Sequence, residues 1–384
     1  MPETKFSRSW QRPDVGRDHQ AAVSLHGHTN RSKESLHFLP ELARHWPLLH
    51  GALQKQCRRS TMRVDFIRAY WTPPLTPELA YEIEKDQIEN VLGVTSMVSL
   101  TDHDNIEAPI LLRTMPESVR TPVAVEWSVP FGGTVFHLGV HNLPSGRAQE
   151  IMADLAAHTR NPSDRRLCEL LAMLDEYPDV LLVFNHPLWN HGGVGEQQYG
   201  EALYRFLRRS VRFLHAFEFN AMRSTKENDG AMELAERWQR PIVSGGDRHG
   251  CEPSGALNLT HATSFAGFVR EIRQEQRSHV LVMPPYADPV SIRTARTVLD
   301  VIRDYPEYPA GSRRWDDRVF HPDEATGTDR PLSALWKAPP AFVERILGGV
   351  RLLENTTLQR ALRRVFRGAA DSAIPAEVPS EAVS

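Results

Sequence analysis

Seven times between Ala21 and His249 a short apolar run carries, at or near its end, a side chain of the kind that binds metal ions. In chain order the runs are AAVSLHGH, with His26 and His28; SMVSLTDH, with Asp102 and His103; PVAVEWS, with Glu126; TVFHLGVH, with His137; VLLVFNHP, with His186; HAFEFNA, with Glu218; and PIVSGGDRH, with Asp247 and His249. They are rich in Val, Leu and Phe and bounded by Gly, Pro, Asn or Ser, as buried strands are. Several of the intervening stretches read as helices. In TPELAYEIEKDQIENVLG, Thr76 is placed to cap the start, Pro77 takes the first helical position and Gly93 follows the end. EIMADLAAH, DRRLCELLAMLDEY and DGAMELAERW repeat apolar residues at three- and four-residue spacing. This alternation predicts parallel strands with helices packed outside, in an open doubly wound sheet or a closed barrel. Ligand types at the C-terminal ends of many strands favour the barrel, because closure points those ends at one mouth. Only WSVPFGGTVF separates Glu126 from His137. That join is too short for a helix and is expected to be a hairpin, which argues against a regular eight-fold barrel.

A chain of 384 residues can bury a sizeable core, as one large domain or two ordinary ones. A formal charge of -3 lacks the strongly basic surface that duplex binding needs, so long nucleic acid is disfavoured as a partner. Met1 to Gln20 is polar and lacks the apolar stretch of a secretory signal, and no later run is long enough to span a bilayer. The expectation is a cytoplasmic protein with no membrane partner. Cys57, Cys168 and Cys251 are scattered and odd in number, which argues against a disulfide framework and against a C-x-x-C zinc site. Histidine is the unusual component, with 17 copies of the commonest metal-ligating side chain.

In a strand, residues two apart share a face, so His26 and His28 are expected to project side by side toward one cation. TDHD, VEW, FHLG, NHP and GGDRH bring further ligand types to other strand ends. HGHT, TDHD, a glutamate followed by FHLG, NHP and GGDRH, in that order over about residues 21–283, together resemble the signature of the PHP (polymerase and histidinol phosphatase) family. The resemblance implies a distorted (β/α)7 TIM-like barrel with two or three divalent ions, Zn2+, Mn2+ or Fe, at its mouth. It further implies that His26, His28, His103, Glu126, His137, His186, Asp247 and His249 are the ligands, with Glu126 bridging. One departure stands out: where the family often places a further ligand after HGHT, this chain has Lys33 with Glu34 beside it. An ammonium cannot ligate while protonated, so either Glu34 substitutes, Lys33 serves a substrate phosphate, or the cluster has one ion fewer.

The chemistry suits these residue types. A phosphate ester repels hydroxide, so cations must neutralise its oxygens and lower the pKa of a bound water before attack. Asp247 can ligate while accepting a hydrogen bond from that water, which makes it the general-base candidate, with His249 as its catalytic neighbour. Arg248, Arg223 and Lys33 are candidates for binding phosphate oxygens. The expected function is a metal-dependent phosphoesterase acting on a small phosphorylated metabolite. Its rivals are the same site acting on an amide or lactone, and a non-catalytic module stabilised by metal. Asp102 is expected to orient a ligand or cap a turn, Glu218 and Asn220 to face the mouth or support it, and the loop after NHP, with Trp189 and His191, to close over substrate.

Four segments follow. Residues 1–20 form a polar lead-in, and residues 21–283 the catalytic unit, interrupted at about 35–75 by an insertion with helical pieces that is a candidate lid. Residues 284–367 read as a helical C-terminal extension. Residues 368–384 have the composition of a disordered tail.

Overall fold

All seven apolar runs contain strands. The computed structural model describes residues 2–36, 68–190, 193–323 and 327–336, with a few positions between 339 and 348. In chain order its strands are β1 (Glu3–Arg8), β2 (Ala21–Leu25), β3 (Glu34–Ser35), β4 (Tyr70–Trp71), β5 (Thr95–Ser99), β6 (Val125–Phe131) and β7 (Thr134–His141). There follow β8 (Leu181–Asn185), β9 (Ala216–Asn220), β10 (Ile242–Gly245), β11 (Ala256–Thr260), β12 (Arg277–Val282), β13 (Val319–Asp323) and β14 (Thr328–Pro331).

The chain is mixed α/β, and its strands form three sheets: β1-β12-β11-β2-β5, β10-β9-β8-β7-β6, and β14-β13-β4-β3. Pairing is parallel at β2–β5, β8–β9, β9–β10 and β1–β12, and antiparallel at β6–β7, β7–β8, β2–β11 and β11–β12. The expected hairpin is β6–β7, turned at Gly132 and Gly133, whose φ angles of 62° and 86° suit residues without a Cβ. The two five-stranded sheets meet at two parallel bridges, His103, just past β5, with Glu126 at the start of β6, and Gly27 with Arg248, just past β2 and β10. Ligand-type residues therefore lie at both seams.

Helices connect the strands much as the sequence predicts. Helix α1 (Pro77–Asp86) is capped by Thr76, whose side chain accepts from the Leu79 amide, and it continues as a wide turn that ends on left-handed Gly93. The others that matter here are α2 (Glu107–Leu112), α3 (Ala148–Arg160), α4 (Asp164–Asp175), α5 (Glu196–Ser210), α6 (Thr225–Arg237), α7 (Phe265–Arg273) and α8 (Val290–Ile302). Alternation along β6 to β9 separates two faces. Trp127, Leu138, Phe184 and Phe217 go to an apolar core in which Phe206 of α5 packs against Phe131, Phe136 and Phe184. Burial of each such side chain contributes about 1.5–3 kcal/mol. Glu126, His137, Asn185 and Glu218, one position out of phase, are left for the opposite face.

The polar lead-in contains β1, which lies in the first sheet beside β12, with Phe6 packed on the core. Two expectations are corrected. The C-terminal extension is not simply helical: after α8 it supplies β13 and β14, which pair through β4 with β3. His26 is not in a strand, since β2 ends at Leu25 and His26 has a left-handed φ of 62°. The H-x-H pair converges across a strand end, with ring centroids 5.1 Å apart, and does so through backbone strain in place of strand periodicity. Most of the 35–75 insertion, together with His191, lies outside the described residues. Among the described residues no helix is long and apolar enough to cross a membrane.

Candidate metal centre

Five imidazoles surround the carboxylate of Glu126. His26 Nε2, His28 Nε2 and His103 Nε2 lie 3.0, 3.3 and 3.4 Å from Oε2, while His186 Nε2 and His137 Nδ1 lie 3.0 and 3.4 Å from Oε1. Asp247 Oδ1 stands 3.7 and 3.6 Å from the Nε2 atoms of His26 and His28. His249 Nδ1 is 3.5 Å from the same oxygen, and its Nε2 is 3.3 Å from Glu34 Oε2. All eight ligand candidates from the sequence are thus brought together. Glu34 joins them, which answers the departure after HGHT: the glutamate, not Lys33, faces the cluster.

The donor set fits divalent cations. His26 Nε2, His28 Nε2 and Glu126 Oε2 are fully buried and have no hydrogen-bond partner, a costly state for polar atoms that a cation relieves. Donors about 2 Å from one ion stand about 2.9–3.4 Å apart, the spacing found around Glu126. Among the described residues, four overlapping groups have donor atoms within 4.8 Å of one another: His26, His28 and Asp247; His26, Glu126 and His186; His103, Glu126 and His137; and His28, Glu34, His103 and His249. Glu126 links two of these groups, as a bridging carboxylate does.

A surrounding layer orients the donors. Glu218 accepts from His26 Nδ1 at 2.5 Å, from the His186 amide at 2.7 Å and from Asn220 Nδ2 at 2.8 Å, so the Nε2 of His26 is left for a cation. A Cβ at residue 245 would sit 1.6 Å from Glu218 Oε1, which explains the glycine in GGDRH. Asn185 donates to Glu126 Oε1 at 3.0 Å, and Ser32 Oγ donates to Glu34 Oε1 at 2.6 Å. Asp102 accepts from both the amide and the hydroxyl of Thr29 and so fixes the turn after the H-x-H pair; burial raises its carboxyl to about 6 despite those bonds. Of the seven non-glycine residues with positive φ among the described residues, three are His26, His186 and Asp247. Such conformations cost on the order of 1 kcal/mol each and concentrate at functional sites.

Charge in the metal-free cluster is shared unevenly. Burial works against a charged His103, but Glu34 and Glu126 outweigh it and push the imidazole up to about 10. His26 is likewise raised, by Glu126, Glu218 and Asp247 against burial. His28, buried and facing a charged His249, falls to about 4. At pH 8, His103 therefore carries a proton that a cation must displace. Metal uptake is expected to release protons at every pH below about 10, and affinity should climb with pH over that range; calorimetric titration in buffers of different ionisation enthalpy measures the count, and no release at pH 8 would contradict the assignment. The His103 value lies above that of the unfolded chain, so its contribution to the metal-free fold is complete below about 6.5 and is lost as pH rises through about 10.

The three substrate-binding candidates diverge. Arg223 lines a cavity of about 820 Å³ over the cluster, together with Trp71, Trp189, Asn105 and Ser128. Its guanidinium lies 3.8 Å above the Trp189 ring, its Nη2 is 3.0 Å from Asp247 Oδ2, and its Nε is buried without a hydrogen-bond partner. Lys33 reaches the same cavity at its rim, with Nζ 3.1 Å from Asp329 Oδ2 and 4.5 Å over the Tyr70 ring. Arg248 is a correction. Buried beneath the centre, its Nε is 3.0 Å from Glu84 Oε1, and its terminal nitrogens donate to the carbonyls of Gly250 and His28. It ties the two ligand pairs to α1 and, 4% exposed, is not among the residues that line the cavity over the cluster. Sequence reasoning missed Glu84, although a signal existed: it falls on the same face of α1 as buried Ala80 and Tyr81, where a carboxylate needs a partner.

No family model matches the chain, and no curated protein does. Among solved structures, a Bifidobacterium adolescentis protein provisionally described as a metal-dependent phosphoesterase is similar at 14% identity and a TM-score of 0.31, covering 52% of this chain and 91% of its own. PsfC from Pseudomonas syringae PB-5123 is similar at 17% identity and a TM-score of 0.35, covering 54% and 84%. An amidohydrolase from Chromobacterium violaceum, with bound sulfate and no metal, is similar at 14% identity and a TM-score of 0.33, covering 79% and 99%. TM-scores below 0.5 transfer no function, so the functional reading stands on the residues themselves.

Proposed function

We propose that the chain is a metal-dependent phosphoesterase of the PHP type, hydrolysing a phosphate ester of a small metabolite. The two sheets that meet at the His103–Glu126 and Gly27–Arg248 bridges are read as the wall of one distorted (β/α)7 barrel, with residues 21–283 as the catalytic unit. The observation that carries the proposal is the convergence of His26, His28, His103, His137 and His186 on the buried carboxylate of Glu126. These residues, with Asp247, His249 and Glu34, would hold two or three ions of Zn2+, Mn2+ or Fe. Bound there, the cations supply charge neutralisation at phosphate oxygens and acidify water.

The chain's own groups do the rest. Arg223, which lines the cavity, offers its guanidinium to a non-bridging oxygen, its plane fixed by Trp189. Burial opposes the charge on Asp247, but Arg223 and His26 hold its carboxyl well below the usual range, so it is ionised at neutral pH and accepts a hydrogen bond from the attacking water. Arg223 and Asn220 both reach its Oδ2, which orients the carboxylate.

Purified protein is expected to hold at least about two equivalents of transition metal, and chelation should abolish hydrolysis of p-nitrophenyl phosphate until metal is restored. Asp247→Asn should lower kcat by about 10²–10³-fold with a modest change in stability. Undiminished activity without metal would remove the proposal. A substrate panel in which only amides or lactones turn over would redirect it.

A further inference from the structure

The strand that carries Glu34 has one hydrogen-bonded neighbour among the described residues, and behind that neighbour stands the far end of the chain. In β3, Glu34 pairs with Trp71 and Ser35 with Tyr70. β4 in turn pairs with β13, Trp71 with Val319 and Tyr70 with Phe320, and β13 pairs from Phe320 to Asp323 with β14. Two-residue strands have too few ladder bonds to hold themselves in place, so their position is set by what they lie against.

Side chains repeat this dependence. The Tyr70 and Phe320 rings stack with centroids 5.1 Å apart and planes 12° from parallel. Asp329 Oδ2 accepts from Lys33 Nζ at 3.1 Å and from Tyr70 Oη at 3.2 Å, which pins the residue preceding Glu34 to β14. Arg318, immediately before β13, is buried; its guanidinium donates to the carbonyls of Val301, Arg303, Ser312 and Arg314, and its own carbonyl accepts from the Thr72 amide. The hairpin is thus anchored to the end of α8 on one side and grips β3 and β4 on the other.

From this arrangement we propose that the β13–β14 hairpin is a positioning element for the metal centre: Phe320 and Asp329 hold Glu34 in the group formed with His28, His103 and His249, and so set the affinity of the ion bound there. The inference rests on the metal-dependent reading above. It gives the C-terminal region a role in the chemistry, although Phe320 and Asp329 are not among the residues of any candidate metal group. Glu34 is the carboxylate of its group, so moving it leaves three imidazoles and weakens that ion selectively. The group of His26, His28 and Asp247 takes none of its residues from this sheet and should keep its affinity.

The test uses full-length Phe320→Ala and Asp329→Asn, with Phe320→Tyr as the conservative rescue, Glu34→Gln as the reference and exposed Arg165→Gln as a control. Metal content and stepwise Kd for Mn2+ are read by chelator competition, and folding by the melting of the metal-free proteins. Glu34→Gln should lose one binding step. Phe320→Ala and Asp329→Asn should weaken that same step by about tenfold or more and leave the tighter step unchanged, while Phe320→Tyr restores it. Unaltered stepwise Kd values in both variants, or equal weakening of every step, would overturn the inference while leaving the metal centre standing. Wild-type protein that takes up no Mn2+ would overturn the inference and the reading beneath it together.

Discussion

Replacing Glu126 by Gln is expected to abolish turnover and strip metal in one step. Its two oxygens are approached by five imidazole nitrogens at 3.0–3.4 Å, and Glu126 belongs to two of the four donor groups. The amide keeps the shape but loses the negative charge, and it puts an NH2 where an oxygen must ligate. A bridging ligand serves each ion it touches, so kcat/KM should fall by at least about 10³-fold and metal content by at least about one equivalent. Mass spectrometry of the bound metal and single-substrate kinetics read the two effects. Full metal content with activity within about threefold of wild type would refute the central role given to this carboxylate. The charge logic gives a second readout: without Glu126, one of the three carboxylates that raise His103 is gone, and its imidazole should titrate lower in the metal-free protein.

The second large effect lies beneath the centre. Arg248→Met should destabilise the metal-free protein by about 3–5 kcal/mol, because Glu84, 1% exposed, is left ionised without its cation. Its remaining bonds, from Ser24 Oγ and the Ser254 amide, are neutral ones. Burial already holds Glu84 above its ordinary range even with Arg248 present. The folded value therefore exceeds the unfolded one, and loss of the guanidinium widens the gap. The deficit should shrink as pH falls toward the unfolded value near 4.5 and grow as pH rises through the folded one. Adding Glu84→Leu should recover most of the loss. Urea unfolding of the two variants and their parent decides the matter, and a single-variant cost under about 0.5 kcal/mol would show the pair to be dispensable.

Buried strands flanked by helices leave uninterrupted apolar runs, which is why the amino-acid pattern alone marks out β2, β5, β6, β7, β8, β9 and β10. The donors at their ends are legible for the complementary reason: His26, His103 and His186 are polar interruptions where an apolar run should simply stop. β1 escapes because ETKFSR is polar along most of its length: its one buried residue is Ser7, and partly buried Phe6 is its one apolar side chain. β3 and β4 escape because two residues carry no periodicity, and the reason why Glu34 faces the cluster is hidden with them. Arg248 misleads because a cation between two ligands fits a phosphate as well as it fits a buried carboxylate. Which way it turns depends on the left-handed backbone of Asp247, φ 48°, and on Glu84 of α1, 164 residues earlier. The coarse α/β class is legible from alternation, whereas the division into two five-stranded sheets with bridged seams is not, because antiparallel β11 and β12 have no counterpart among the motifs.

The seam between Gly27 and Arg248 has a consequence for how the molecule comes into being. The segment that His26 and His28 must meet is made more than two hundred residues after them, and β1 must wait still longer for β12. A chain whose decisive contacts join distant segments forms them slowly and late. During that interval two of the four donor groups found among the described residues, those that need Asp247 or His249, are incomplete.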